Sequence, residues 1–255
     1  MTPRLPPAFL DAPLAHRALH DVTDGRPENS RAAIRAAMDR GYGIEIDVQL
    51  SADDQAMVFH DYALDRLADG TGPVRVVPAG TLAQTPLKGG SEGIPTLPEV
   101  LNLVAGRVPL LIEIKDQDGG MGADIGPLEQ ATANALAGYT GPVALMSFNP
   151  HSVARMADLC PDIPRGIVTS AYRAADWPLS AATRDRLRDI PDFERVAASF
   201  ISHEAGDLDR PRVADLKAQG ANILCWTIRS PEEEARARQV AQNVTFEGYL
   251  AAHPG

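Results

Sequence analysis

The sequence of 255 residues contains only two cysteines, Cys160 and Cys225, and it has no long apolar run. The two cysteines are far apart and show no metal-ligand spacing, which argues against a disulfide framework and a cysteine metal site. No segment approaches the ~20 consecutive apolar residues of a transmembrane helix. The start of the chain, residues 1–14, is rich in proline and lacks the apolar stretch of a secretory signal. We therefore expect a cytoplasmic protein with no stable membrane association.

Basic residues are in the minority, since 24 Lys and Arg stand against 34 Asp and Glu, which gives a net charge of −10. A chain of this charge repels polyanions, so we expect neither nucleic acid nor an anionic membrane surface as a partner. A small anionic substrate is still compatible with the charge, because the local field at a site can oppose the global sign. The hydrophobic content of 44% and the charged content of 23% are ordinary for a globular protein.

Short apolar runs alternate with helical patterns along the chain. The strand-like runs are Pro13–Ala18, Gly43–Leu50, Val108–Lys115, Val143–Phe148, Gly166–Thr169, Val196–His203, Ile223–Ile228 and Val244–Leu250. The helical segments are Ser30–Arg40, Leu97–Val104, Ile125–Ala137, Pro150–Leu159, Ala181–Ile190, Pro211–Gln219 and Pro231–Val240. Eight repeats of this kind in about 250 residues predict an α/β protein with a closed (β/α)8 barrel, a TIM barrel, in one domain spanning 1–255. A doubly wound open sheet is the alternative, but no glycine-rich dinucleotide fingerprint follows any strand.

The segment 61–98 breaks this rhythm. It is rich in glycine and proline and has no long apolar run. We interpret it as a loop-rich insertion after the second strand that lies over the barrel mouth. It is too short and too poor in apolar residues to be expected to form a core of its own.

Two of the predicted strands carry acidic residues in place of neutral ones. Glu45 and Asp47 share one face of the second strand, and Glu113 and Lys115 share one face of the third, because side chains alternate along a strand. Three carboxylates facing the barrel interior would repel one another unless a positive group lay between them. A hard divalent cation prefers oxygen ligands, so the pattern predicts a metal site.

Further polar residues come at the ends of the strands. The first strand ends at His16-Arg17, and a short apolar run immediately precedes His60-Asp61. In a barrel, the active site forms at the carboxyl ends of the strands, so these groups would meet the acidic residues at one mouth. Each group alone has a structural explanation, such as a hydrogen-bonded histidine or an ion pair between Glu113 and Lys115. Their density at one place favours a functional site.

Taken in order, these motifs resemble the glycerophosphodiester phosphodiesterase family over nearly the whole chain. The motifs are His16-Arg17, Pro27-Glu28-Asn29-Ser30, Glu45-Ile46-Asp47, His60-Asp61, Leu64-Asp65-Arg66, Pro95-Thr96-Leu97, Glu113-Ile114-Lys115, Ser147-Phe148 and Cys225-Trp226-Thr227. The resemblance implies a barrel with a small insertion after the second strand. It also implies a divalent metal, Mg²⁺ or Ca²⁺, held by Glu45, Asp47 and Glu113.

The implied reaction is the hydrolysis of a small-molecule phosphodiester to glycerol 3-phosphate and an alcohol. Following the resemblance, His16 and His60 are the general acid and base, in either order. Arg17 and Lys115 would neutralise phosphate charge. Phe148 and Trp226 end later strands and would form an apolar wall for the substrate, although plain barrel packing explains them as well.

Several residues keep two interpretations. Glu28 and Asn29 either line the site or, for Asn29, cap the following helix. Asp61 is expected to orient a neighbouring group. His203, at the end of another strand, either contacts substrate or is a hydrogen-bonded surface residue.

Two departures from the family pattern stand out. Ala18 replaces the glycine that usually follows the His-Arg pair, a small change unless the backbone there needs positive φ. The last strand reads Val244-Thr245-Phe246-Glu247-Gly248-Tyr249 in place of the usual Gly-Ile-Ile-Thr-Asp.

Other functions are weaker fits to the sequence. Lysophospholipase D or sphingomyelinase D-like enzymes share a similar site, but this chain has no apolar loop with flanking basic residues for lipid. A non-catalytic phosphoester sensor would have no need of two histidines. A phosphosugar aldolase or isomerase would need a Schiff-base lysine or a glycine-rich phosphate loop after the late strands, and neither is evident.

Overall fold

The structure, a computed structural model, describes residues 2–253 and contains a closed barrel of parallel strands. The strands are β1 (Leu14–Ala15), β2 (Gly43–Leu50), β3 (Ala56–Val58), β4 (Leu110–Ile114), β5 (Val143–Ser147), β6 (Arg165–Thr169), β7 (Phe200–Glu204), β8 (Asn222–Ile228) and β9 (Asn243–Phe246). Eight of them pair in parallel in the order β1-β9-β8-β7-β6-β5-β4-β2, and β1 also pairs with β2, which closes the barrel. β3 is antiparallel to β2 and flanks the barrel. The predicted (β/α)8 barrel is therefore confirmed.

Helices lie between the strands. They are α1 (Ala8–Asp11), α2 (Arg31–Asp39), α3 (Ala79–Leu82), α4 (Leu97–Val104), α5 (Pro127–Leu136), α6 (Pro150–Leu159), α7 (Ala181–Arg188), α8 (Pro211–Ala218) and α9 (Pro231–Ala237). Ser30 caps α2 by accepting a hydrogen bond from the Ala33 N–H, so the suggested cap at Asn29 is wrong. Within residues 2–253, no helix combines the length and the apolar character that crossing a bilayer requires.

The barrel interior is divided between an apolar lower half and a polar upper half. Ile44 and Ile46 of β2 point outward to the helices, whereas Glu45 and Asp47 point inward. The lower half is filled by a cluster of Leu5, Phe9, Leu14, Leu111, Ala144, Met146, Val168, Phe200 and Leu224. Gly166 makes room for this packing, because a Cβ there would lie 2.4 Å from the ring of Phe200. The acidic residues thus lie above a solid apolar floor.

The insertion has its own small core, so the expectation that it would have none is wrong. Its buried side chains are Leu64, Ala68, Val74, Ala79, Leu82, Leu87 and Ile94, and they pack with Met57 and Phe59. Their spacing is irregular because the segment consists mostly of turns, so no helix or strand period appears in the sequence. The cluster fixes the chain at Phe59, immediately before His60.

Candidate active site

Three carboxylates from two neighbouring strands meet inside the barrel. Asp47 of β2 and Glu113 of β4 are register partners, and one oxygen each from Glu45, Asp47 and Glu113 lies within 4.8 Å of the others. All three residues are buried. Burial, and then the charges of Asp47 and Glu113, raise the pKa of Glu45 well above its ordinary value. These three residues, here called the acidic triad, therefore form a buried site that favours the binding of a cation.

Lys115 supplies part of the positive charge. Its Nζ lies 2.7 Å from an oxygen of Asp47 and 2.7 Å from an oxygen of Glu113. Burial alone would lower the pKa of Lys115, but these two carboxylates raise it above its ordinary value. Burial would raise the pKa of Asp47, but Lys115 is foremost among the groups that hold it well below the usual range. One ammonium does not balance three carboxylates, and the Arg17 guanidinium, 3.6 Å from Asp47, is also paired with Glu28. The oxygen-rich triad therefore fits a divalent cation as a ligand set.

Arg17 and Asn29 join the loop after β1 to the triad. The Arg17 backbone N–H donates to Glu45 at 2.8 Å, and its guanidinium donates to Glu28 at 2.8 Å. The Asn29 side-chain amide donates to Asp47 at 3.0 Å, and its oxygen accepts the Asp47 backbone N–H at 3.3 Å. Of the two interpretations of Asn29, the structure supports contact with the site.

His16 is held by a residue that the sequence analysis did not assign to the site. Its Nδ1 lies 2.5 Å from Oε2 of Glu247, which follows β9 directly. Burial lowers the pKa of His16, and the bond to Glu247 opposes this change. The same bond holds the pKa of Glu247 well below its usual range, and Arg229 contacts the other carboxylate oxygen at 2.7 Å. The only sequence signal was the departure from the family pattern in the last strand.

His60 is held in a matching way. Its Nδ1 lies 2.7 Å from Oδ1 of Asp61, as expected for an orienting carboxylate. Burial would raise the pKa of Asp61, but the bonds from His60 and Arg66 lower it. Arg66 donates to both oxygens of Asp61 at 2.7 Å, and it also donates to Glu28. Both imidazoles therefore have Nδ1 on a carboxylate, which leaves Nε2 available for a substrate.

One cavity of about 170 Å³ gathers nine of the side chains that the sequence predicted for the site. They are His16, Arg17, Glu45, Asp47, His60, Glu113, Lys115, Phe148 and Trp226. Their roles stay predictions, but the structure places them around one space. Ser202 and Thr245 also line this cavity, and the sequence analysis missed them because isolated hydroxyls on strands carry no motif.

Some polar atoms of the cavity are buried without a hydrogen bond. Within residues 2–253, these are the Arg17 Nε, which lies 3.6 Å from Oδ2 of Asp47, the Ser202 Oγ and the Thr245 Oγ1. Buried polar groups nearly always form hydrogen bonds, so these three atoms retain the capacity to bond a molecule in the cavity.

His203 lies outside this cavity. It is fully buried, its Nδ1 lies 2.7 Å from the Thr169 hydroxyl, and its Nε2 faces Asp207. Because both ring nitrogens have partners, the structure supports a structural role for it. The sequence analysis had expected a histidine with such a role to lie at the surface, whereas the structure buries it completely.

Comparison with known proteins agrees with this geometry. The model of the glycerophosphoryl diester phosphodiesterase family matches residues 16–244. A glycerophosphodiester phosphodiesterase of Caldanaerobacter subterraneus subsp. tengcongensis is 31% identical over 221 residues, which is 82% of this chain and 84% of that protein. The YhdW protein of Bacillus subtilis (strain 168) is 27% identical and covers 94% of both chains.

A solved structure agrees as well. A phosphodiesterase of Oleispira antarctica in complex with the product sn-glycerol-3-phosphate aligns with a TM-score of 0.76 and 26% identity, over 94% of both chains. The chain therefore belongs to the glycerophosphoryl diester phosphodiesterase family, a family of phosphoric diester hydrolases.

Proposed function

We propose that this protein hydrolyses glycerophosphodiesters to sn-glycerol 3-phosphate and an alcohol, with the help of a divalent cation. One observation carries the proposal: two histidines, each held by a carboxylate, face the same cavity as the acidic triad. The product complex of the Oleispira antarctica relative supports the choice of substrate.

Charge neutralisation is the first task of such a site, because a phosphodiester is an anion. Glu45, Asp47 and Glu113 would hold Mg²⁺ or Ca²⁺, which supplies Lewis-acid stabilisation of the phosphate oxygens when bound. Lys115 has three N–H donors and uses two of them on Asp47 and Glu113, so one is left for the phosphate. The Arg17 Nε, which has no hydrogen bond and lies 3.6 Å from Asp47, would be a second donor in the same space.

Proton transfer is the second task. The nucleophile must lose a proton, and the leaving alkoxide must gain one. Because Glu247 and Asp61 bind Nδ1 of His16 and His60, each ring presents Nε2 to the cavity. We assign the two histidines as the acid and base pair. Phe148 and Trp226 form the apolar side of the site, with ring centroids 5.5 Å apart at 88°.

The test is release of sn-glycerol 3-phosphate from glycerophosphocholine and glycerophosphoethanolamine, with Mg²⁺, Ca²⁺ or Mn²⁺ added and then with a chelator. We expect turnover that the chelator abolishes. His16→Ala and His60→Ala should each lower kcat/KM by about 100-fold or more. His151→Ala on α6, outside the cavity, is the matched control and should retain activity. Absence of turnover by the wild type on both diesters with every metal would disprove the proposal.

A further inference from the structure

A second pocket, of about 380 Å³, opens next to the catalytic cavity. The two share five lining residues: His60, Glu113, Lys115, Phe148 and Trp226. A group bonded to a phosphate in the catalytic cavity would therefore extend into this pocket without crossing solvent.

The walls of the pocket are aromatic. Tyr62, Phe148, Trp177 and Trp226 line it, and here they define the aromatic pocket. Phe148 lies centrally, with ring centroids 4.8 Å from Trp177 and 5.5 Å from Trp226. Tyr172 packs behind this group, 5.0 Å from Trp177, and fixes the rings in place. Trp177 comes from the loop between β6 and α7, where no strand pattern pointed to it.

Asp116 gives the pocket a negative charge. It is buried and accepts hydrogen bonds from the Met121 and Asp118 backbone N–H groups at 3.1 Å and from the Asn149 amide at 2.8 Å. Within residues 2–253, no Lys, Arg or His forms an ion pair with it.

The other charged groups of the pocket are already paired. Asp61 is bound by Arg66, and Glu113 is bound by Lys115. The pocket thus presents aromatic faces and a lining of negative net charge, since the carboxylates of Asp61, Glu113 and Asp116 stand against the single ammonium of Lys115. These are the features that bind quaternary ammonium groups, which are attracted to aromatic faces within about 6 Å.

We propose that the aromatic pocket receives the leaving alcohol and selects one that carries a quaternary ammonium group, such as choline. This inference rests on the proposed function. The three methyl groups of such a cation need no hydrogen bonds and bury well against Phe148, Trp177 and Trp226. A polyol carries no positive charge to attract the aromatic faces, and its hydroxyl groups would give up water against an apolar wall. A primary ammonium is strongly hydrated, and the rings of Phe148, Trp177 and Trp226 offer its three N–H donors no oxygen acceptor.

The test compares diesters of glycerol phosphate that differ only in the alcohol: choline, its neutral carbon isostere 3,3-dimethylbutanol, ethanolamine, and glycerol. We expect kcat/KM for the choline ester to exceed that for the dimethylbutyl ester about tenfold, from the cation–aromatic attraction. The glycerol ester should be slower still. The difference should lie mainly in KM, because the attraction acts on the bound substrate as well as on the transition state.

Two variants connect the preference to the pocket. Trp177→Leu keeps an apolar side chain but removes an aromatic face, and it should reduce the choline-to-dimethylbutyl ratio about threefold to tenfold. Asp116→Asn removes the charge and should reduce the same ratio. Asp124→Asn is the matched control, because this exposed carboxylate lies in the same loop but does not line the pocket.

The outcomes separate the two proposals. No hydrolysis of any diester would overturn the proposed function itself. Hydrolysis of all four esters, with the dimethylbutyl ester cleaved as well as the choline ester, would overturn the cation pocket and leave the phosphodiesterase intact. A ratio that Trp177→Leu and Asp116→Asn leave unchanged would also overturn it, because the preference would then arise elsewhere.

Discussion

At the scale of single residues, the contact between His16 and Glu247 is the sharpest feature that the sequence did not reveal. A histidine followed by arginine is recognisable as a motif, but its partner lies 231 positions away along the chain. Only closure of the barrel, with β9 beside β1, brings the two side chains together. The same limit applies to Ser202 and Thr245, whose importance lies in the cavity that they face.

Glu247→Gln tests this contact. Glutamine keeps the size of the side chain and an oxygen acceptor but removes the charge that opposes the burial of His16, so the pKa of His16 should fall further. The limb of the kcat/KM profile that reports His16 should therefore move to lower pH, whether His16 is acid or base. At neutral pH, kcat/KM should fall by about 10- to 100-fold. Glu194→Gln, at an exposed acid before β7 that does not line the cavity, should change neither the pH profile nor kcat/KM. If both limbs of the kcat/KM profile of the variant stayed at the same pH as in the wild type, the role of Glu247 would be contradicted.

Ala18 is a second residue with a local consequence. Its φ of 66° is a left-handed conformation, which glycine adopts without steric cost and other residues resist. Ala18→Gly relieves this strain but loses one buried methyl group. Each effect is about 1 kcal/mol, and the two have opposite signs. We therefore expect its free energy of unfolding to lie within about 1 kcal/mol of the wild type. Ala18→Val should cost about 2 kcal/mol or more, because a β-branched residue resists positive φ. Urea titrations measure both, and equal stabilities of the two variants would refute the argument.

At the scale of elements, the repeat of strand and helix was predictable and several boundaries were not. The first strand was predicted to extend to Ala18 but ends at Ala15, because Arg17 and Ala18 adopt positive φ and turn the chain. The last strand ends at Phe246 for lack of further pairing. Periodicity shows where a buried run lies, whereas its end depends on partners from distant parts of the chain.

The insertion core allows a prediction at this scale. Leu82 is fully buried in that cluster, so Leu82→Ala should cost about 2–5 kcal/mol of unfolding free energy for the insertion. Because the cluster holds Phe59 beside His60, the variant should lose activity at a lower urea concentration than it loses the circular dichroism signal of the barrel. Val76 lies in the same segment and is 68% exposed, so Val76→Ala should change neither the stability of the insertion nor the urea concentration at which activity is lost. Activity and circular dichroism followed in one titration decide this. A loss below about 1 kcal/mol would show that the cluster does not stabilise the insertion.

At the scale of the whole molecule, closure of the barrel explains why nine predicted side chains reached one cavity. Parallel strands present their carboxyl ends at the same mouth, so residues at strand ends converge whatever their distance in sequence. The convergence of strand ends does not predict Trp177 and Asp116, because their positions depend on the conformation of loops. The sequence thus predicts the centre of the site better than its rim.

The acidic triad links β2 and β4 within this closed barrel, so occupation by a cation should stabilise the whole molecule. At 100 times Kd, a cation that binds only the folded state adds about 2.7 kcal/mol, or about 5–10 °C in Tm for a chain of this size. Glu45→Gln removes one buried carboxylate from three, so it should raise the metal-free Tm and suppress the rise with metal. Thermal scans with Mg²⁺, Ca²⁺ and Mn²⁺ measure both effects. If no metal raised the wild-type Tm, or if Glu45→Gln kept the full rise, the triad would not be the metal site.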